Sequence, residues 1–157
     1  MRDRANVTNR RVLVGLDAQG RSTVVSDAHD MAHAYPPTGV AIQEVWWQAE
    51  VPARLDDDGA RVGPIGLEAP SRGGVVRILT VPPSASSRKW VPDLHFDDSM
   101  HVITLTTGQL DIVLEAGEVT LRPGDSIVLP ASVHDLRNTT DDPATFVYTS
   151  FPLTRLT

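Results

Sequence analysis

His95, His101 and His134 are the residues of this 157-residue chain whose types and spacing best suit metal chemistry. The first two lie in Asp93-Leu94-His95-Phe96-Asp97-Asp98-Ser99-Met100-His101, and the third follows a turn at Gly124-Asp125. Positions 95, 97 and 101 share parity, so an extended chain aims all three side chains at one face. Neutral imidazole is the commonest protein ligand for transition metals, and the Asp97 carboxylate is able to join it. The competing interpretation is of three ordinary polar residues in a barrel mouth.

The elements that must position them read as strands. Short runs rich in Val, Ile, Leu and Thr alternate with Gly and Pro, as in a β-sandwich or barrel. Residues 11–16 and 22–26 form a hairpin around Asp17-Ala18-Gln19-Gly20. Residues 27–39 read as loop, with room for one helical turn, and 41–49 as a further strand. Residues 52–74 are polar and read as a long loop, a candidate lid over the barrel. Its Asp56-Asp57-Asp58 triplet lacks the ligand spacing of a calcium loop and reads as a solvated turn. Strands then follow at 75–81, 102–107, 110–114, 118–121, 126–130, 134–138 and 144–151. One domain is expected, with residues 1–74 completing a barrel or dimer around a core of 75–157.

Composition narrows the partners. The net charge is −6 and Lys89 is the only lysine, which argues against a nucleic-acid surface. No apolar run reaches the ~20 residues of a membrane span, and the first residues lack the apolar stretch of a secretory signal. A cytoplasmic protein with neither nucleic acid nor membrane as partner is the expectation. With no cysteine, thiolate ligands and disulfides are excluded.

The stretch from Leu94 to Phe151 resembles the cupin superfamily, in particular its small single-domain members. Of that family's second motif, Gly124, Asp125, Pro130, His134 and Asn138 fall in order, while Ala131 and Ser132 stand where a glycine follows the proline. The first motif is altered. Gly108 fits its closing glycine, and the usual His-x-His-x3-Glu has become His95-x-Asp97-x3-His101. The resemblance implies an all-β fold, a cupin jelly-roll β-barrel with an N-terminal strand extension. It also implies a homodimer in which N-terminal strands pair with a second subunit.

On this basis His95, Asp97, His101 and His134 are the expected ligands of one divalent transition ion, Fe, Mn, Ni, Zn or Cu. Asp97 either ligates directly or hydrogen-bonds a ligand histidine from behind. Asp97 and Tyr148 are the candidate catalytic groups, the tyrosine through its hydroxyl. Asn138 is expected to support its turn. Arg77 would either clamp a carboxylate inside the barrel or face outward, the outward orientation being the more ordinary. His29 and His33 would share a face if 27–34 were helical. Trp46, Trp47 and Trp90 are candidates for a pocket wall, with Trp46 and Trp47 pointing opposite ways on a regular strand. The expected function is that of a metal-dependent enzyme acting on a small oxygenated molecule, either a dioxygenase or a non-redox lyase, dehydratase or isomerase. The alternatives are a non-catalytic small-ligand-binding module and a structural dimer module.

Overall fold

The computed structural model describes residues 9–29, 31–84 and 93–154, so Lys89 and Trp90 lie outside the described residues. Among these residues eleven β-strands form and no α-helix: β1 Arg11–Leu16, β2 Ser22–Ala28, β3 Ala32–Ala34, β4 Ala41–Gln48, β5 Gly74–Val81, β6 Ser99–Thr107, β7 Leu110–Leu114, β8 Gly117–Leu121, β9 Ser126–Pro130, β10 His134–Arg137 and β11 Ala144–Pro152. No helix among them is long and apolar enough to cross a membrane.

The strands assemble into a six-stranded sheet ordered β3-β4-β5-β11-β6-β9 and a three-stranded sheet ordered β10-β7-β8. Val81, Ile103, Leu105, Leu110, Ile112, Leu121, Leu129, Ala144 and Phe146 are buried between them as one core. Alternation explains the burial. In β6, Ser99, His101, Ile103 and Leu105 turn inward, as period-two geometry requires. Gly108 turns β6 into β7 with φ +79°, and a Cβ there would lie 2.5 Å from the carbonyl oxygen of Pro143. That position needs glycine twice over, for its backbone angle and for its space.

β1 and β2 form a separate hairpin, tied to β4 by a hydrogen bond from the Asn9 N–H to Gln43 Oε1. Val12, Val14, Leu16, Val24 and Val25 on this hairpin are exposed. β4 belongs to the same sheet as β5 and β11, so part of the first 74 residues completes the barrel wall.

Three expectations need correction. Residues 27–39 are not all loop: β2 runs on to Ala28, and β3 adds an edge strand paired with β4 through His33 and Gln43. His29 and His33 therefore share no helical face, and the His33 ring meets Tyr35 edge-on, with centroids 5.6 Å apart. Arg77 does not face outward. It is 2% exposed, on an inward row of the sheet that pairs Glu44 with Arg77, Arg77 with Tyr148, and Tyr148 with Ile103. The expected 52–74 loop is free of strand up to Gly73, β5 beginning at Gly74, and Trp46 and Trp47 are both half-buried beside a register shift in β4.

Candidate functional site

His101 sits on β6 with its ring buried. His134 opens β10, and the loop before β6 brings His95 beside it. The backbones of His95 and His134 exchange hydrogen bonds of 3.1 and 3.0 Å, which places the two rings 4.9 Å apart. The rings of His101 and His134 are 5.5 Å apart. The three histidines therefore meet, though not along one extended strand: β6 begins only at Ser99, and the chain from 95 to 98 reaches the site as a loop pinned by the His95–His134 bridge.

The hydrogen bonds fix the tautomers. His134 Nδ1–H donates to the carbonyl of Ser132 at 2.7 Å, and His95 Nδ1–H donates to the carbonyl of Asp93 at 2.7 Å. A carbonyl only accepts, so each ring carries its proton on Nδ1 and keeps the Nε2 lone pair for a ligand. Backbone clips of this kind are what orient metal-binding histidines elsewhere.

His101 is engaged on both sides. The Tyr148 hydroxyl lies 2.5 Å from Nδ1, and Nε2 lies 2.9 Å from Asp97 Oδ1. A neutral ring protonated on Nε2 satisfies both contacts, with Tyr148 donating to Nδ1 and Nε2–H donating to the carboxylate. Asp97 also accepts from the Ser99 N–H. Of its two expected roles, the structure shows the hydrogen bond to a histidine. As the side chains stand, no three His, Asp or Glu groups among the described residues are gathered closely enough to hold an ion. The donor types nevertheless fit a divalent transition ion, and 2.9 Å is close to the spacing of two adjacent ligands each about 2.1 Å from one ion.

Burial controls the protonation of the cluster. It pushes the pKa of His101 below 6.5, with the Asp97 charge opposing, and does the same to His134, where the Ser132 carbonyl opposes. Tyr148 is pushed up to about 12, mainly by burial. The sign for stability follows. A histidine whose folded pKa lies below its unfolded value contributes fully above that unfolded value and loses its contribution as pH falls through the folded pKa. The thermal midpoint of metal-free protein should therefore drop as pH falls below the ordinary histidine value of 6.5. Asn at both His101 and His134 should flatten that slope in a calorimetric pH series, and an equally steep slope in the double variant would refute the assignment.

Asn138 supports its turn as expected. It is buried, its Nδ2 donates to the carbonyls of Val81 and Asp142, and its Oδ1 accepts from Thr140. A cleft of about 410 Å³ is lined by residues 68–71 and 96–99 with Pro152 and Leu153, and it meets the cluster only at Asp97, the hydrogen-bond partner of His101. Asp97 lies in its wall.

Sequence reasoning did not find the buried ion network behind Tyr148. Glu44, 2% exposed at its side chain, accepts from Arg61 at 2.7 and 2.9 Å and from Arg77 at 3.0 Å. The signal was available in part, since Glu44 and Arg77 are charged residues at inward positions of apolar strands. Arg61, in an irregular segment, gave none.

Comparison with known proteins agrees with this architecture. Residues 77–150 match the family described as Cupin domain. A cupin-domain-containing oxidoreductase, srdB, of Neurospora crassa is 30% identical over 146 residues, spanning 88% of this chain and 71% of that protein. The structure of KdgF from Halomonas sp. superposes with a TM-score of 0.52 at 14% identity, over 78% of this chain and 87% of that one. A sugar phosphate isomerase from Silicibacter pomeroyi is 30% identical, with a TM-score of 0.41, over 53% of this chain and 51% of that one. The chain thus spans about half the length of that isomerase. A two-sheet β-barrel, a cluster of three histidines, and identity sustained along most of the fungal relative lead to one conclusion: this chain belongs to the cupin superfamily.

Proposed function

We propose that this protein is a metal-dependent cupin enzyme acting on a small oxygenated organic molecule, with His95, Asp97, His101 and His134 holding one divalent transition ion. The observation that carries the proposal is the pair of clipped imidazoles, His95 and His134, whose Nε2 lone pairs are left available beside the His101–Asp97 pair. Iron, manganese, nickel, zinc and copper all suit a mixed nitrogen and oxygen donor set. Such an ion, when bound, supplies Lewis acidity toward a substrate oxygen and, for iron, redox chemistry with dioxygen.

The chain's own groups do the rest. To such an ion His101 would offer Nε2 in its other tautomer, with the ring proton moved to Nδ1, and Asp97 would offer its carboxylate. Tyr148, its phenol kept neutral by burial, hydrogen-bonds His101 Nδ1 in either tautomer and fixes the ring. Asp97 reaches both the cleft and His101, which suits it to exchange a proton with a bound molecule. His101 and His134 are buried, which limits water on that side of the site. Oxygenase chemistry and lyase, dehydratase or isomerase chemistry both use these parts, and the relatives' names include an oxidoreductase and an isomerase. A fold does not choose between them.

The test is thermal unfolding of metal-stripped protein with each of the five ions added in turn. Binding to the folded state raises the midpoint by mass action, by about 2.7 kcal/mol of stability at a hundredfold excess over Kd. At least one ion should raise it. A midpoint unmoved by all five would end the metal-enzyme proposal and leave the non-catalytic ligand-binding module as the better description.

A further inference from the structure

Residues 59–71 cross the ends of β4 and β5 as irregular chain fastened at several points. The Gly59 carbonyl accepts from the Trp47 N–H at 3.0 Å. Gly59, at φ +69°, lies so close to the Trp46 ring that a Cβ would be 2.2 Å from a ring carbon. Arg61 reaches inward with a bidentate grip on Glu44, its guanidinium 5.3 Å from the centre of the Trp47 ring. Arg77 holds the same carboxylate through Nε and turns its two terminal nitrogens on the backbone, donating to the carbonyls of Leu67 at 3.0 Å and Gly66 at 2.8 Å. Beyond these grips, residues 68–71 line the same cleft as Asp97, the hydrogen-bond partner of His101. Arg77 is also the cross-strand neighbour of Tyr148, whose hydroxyl contacts His101.

We propose that residues 59–71 are a strap governing access to the histidine cluster, and that Glu44, Arg61 and Arg77 are its latch. Two guanidiniums share one carboxylate, so the closed strap keeps a net positive charge out of water. That charge is met by strap carbonyls, those of Gly66 and Leu67 on Arg77 and that of Pro64 on Arg61, and by the Trp47 ring beside Arg61. Lifting the strap returns Arg61 to solvent and strips Arg77 of its two carbonyls. The closed and open states are therefore balanced by ion-pair and hydrogen-bond terms rather than by a large apolar contact. Val62 and Leu67 are exposed and Ile65 is half-buried, which leaves little hydrophobic force holding the strap down. These three latch residues are positioning residues: they act on the site through the wall they hold. The significance of the gate rests on the proposed function of the cluster, but its mechanics do not.

The experiment uses the whole protein without added metal. Amide hydrogen exchange is followed in 59–71, and the rate of diethyl pyrocarbonate modification is followed at His101 and His134, with exposed His95 as an internal control. Arg61→Ala should speed exchange in the strap by about tenfold or more, leave β5, β6 and β11 protected, and speed modification of His101 and His134 but not His95. Arg61→Lys, which keeps the charge but loses the bidentate grip, should fall between, and it replaces the alanine variant if that fails to fold. Arg54→Ala, which removes an exposed pair with Asp56 just before the strap, should change neither readout. Unchanged strap exchange would overturn the latch. A loosened strap with unchanged histidine reactivity would overturn the gate. Neither readout depends on metal uptake, so loss of the enzyme proposal would leave both results standing.

Discussion

Alanine at position 134 should strip the protein of its ion. Untagged wild-type protein is expected to hold about one transition ion per chain, and His134→Ala about a tenth of that or less, at matched concentration. The reasoning is geometric. His134 is 5% exposed, its ring is oriented by the Ser132 carbonyl, and it neighbours both other imidazoles. No other imidazole among the described residues is placed to replace it. Losing even a group that only orients a ligand costs about 10- to 100-fold in metal affinity, and losing a ligand should cost more. Asp97→Asn should therefore be milder if Asp97 only orients His101, and comparable if it ligates directly. Metal analysis by mass spectrometry, with circular dichroism to confirm folding, separates these outcomes. Equal metal in wild type and His134→Ala would place any bound ion elsewhere.

The second large effect is on stability. Glu44→Ala is expected to cost about 3–5 kcal/mol, the usual result of removing one partner from a buried ion pair. Against a total of about 5–15 kcal/mol for a domain, this leaves the protein marginal at best. The cause is the charge left behind. Arg77 is 2% exposed at its side chain and Arg61 10%, and without Glu44 neither guanidinium has a carboxylate. Replacing both Glu44 and Arg77 by Met should recover a good part of the loss, because the desolvated charges go together. Urea unfolding of Glu44→Met, Arg77→Met and the double variant forms the cycle. A loss below about 1 kcal/mol for Glu44→Ala, as for an exposed pair, would show that the network is solvated.

The residues explain which parts of this protein could be read from its sequence. Strands such as Val75–Val81 and Leu110–Leu114 announce themselves because β-branched and aliphatic runs end at Pro82 or at Gly108. The histidines were legible because imidazoles at motif-like spacing carry chemistry in their type. Asp97 was legible as a participant but not in its role, since parity cannot tell a ligand from a hydrogen-bond acceptor on His101. β3 was missed because three residues, Ala32-His33-Ala34, hold no hydrophobic alternation, and their strand state comes from pairing with β4. Arg77 resisted for a different reason. Local propensity expects an arginine in a strand to face water, and only Glu44, 33 positions away in the chain, makes the inward orientation affordable. Long-range compensation of that kind leaves no trace in a local window.

The bridge between His95 and His134 has a consequence best expressed as symmetry. Each residue donates its N–H to the other's carbonyl, and each ring is clipped to the carbonyl two residues before it. An approximate dyad therefore runs through this pair, relating one imidazole to the other. Half of the cluster is a self-contained unit of six residues, Asp93 to His95 and Ser132 to His134, that holds its rings without help from Asp97, His101 or Tyr148. Any antiparallel pair carrying the same two tripeptides in the same register would present the same two lone pairs, so this half of the site is portable between β-scaffolds, whereas the half built on His101 is not.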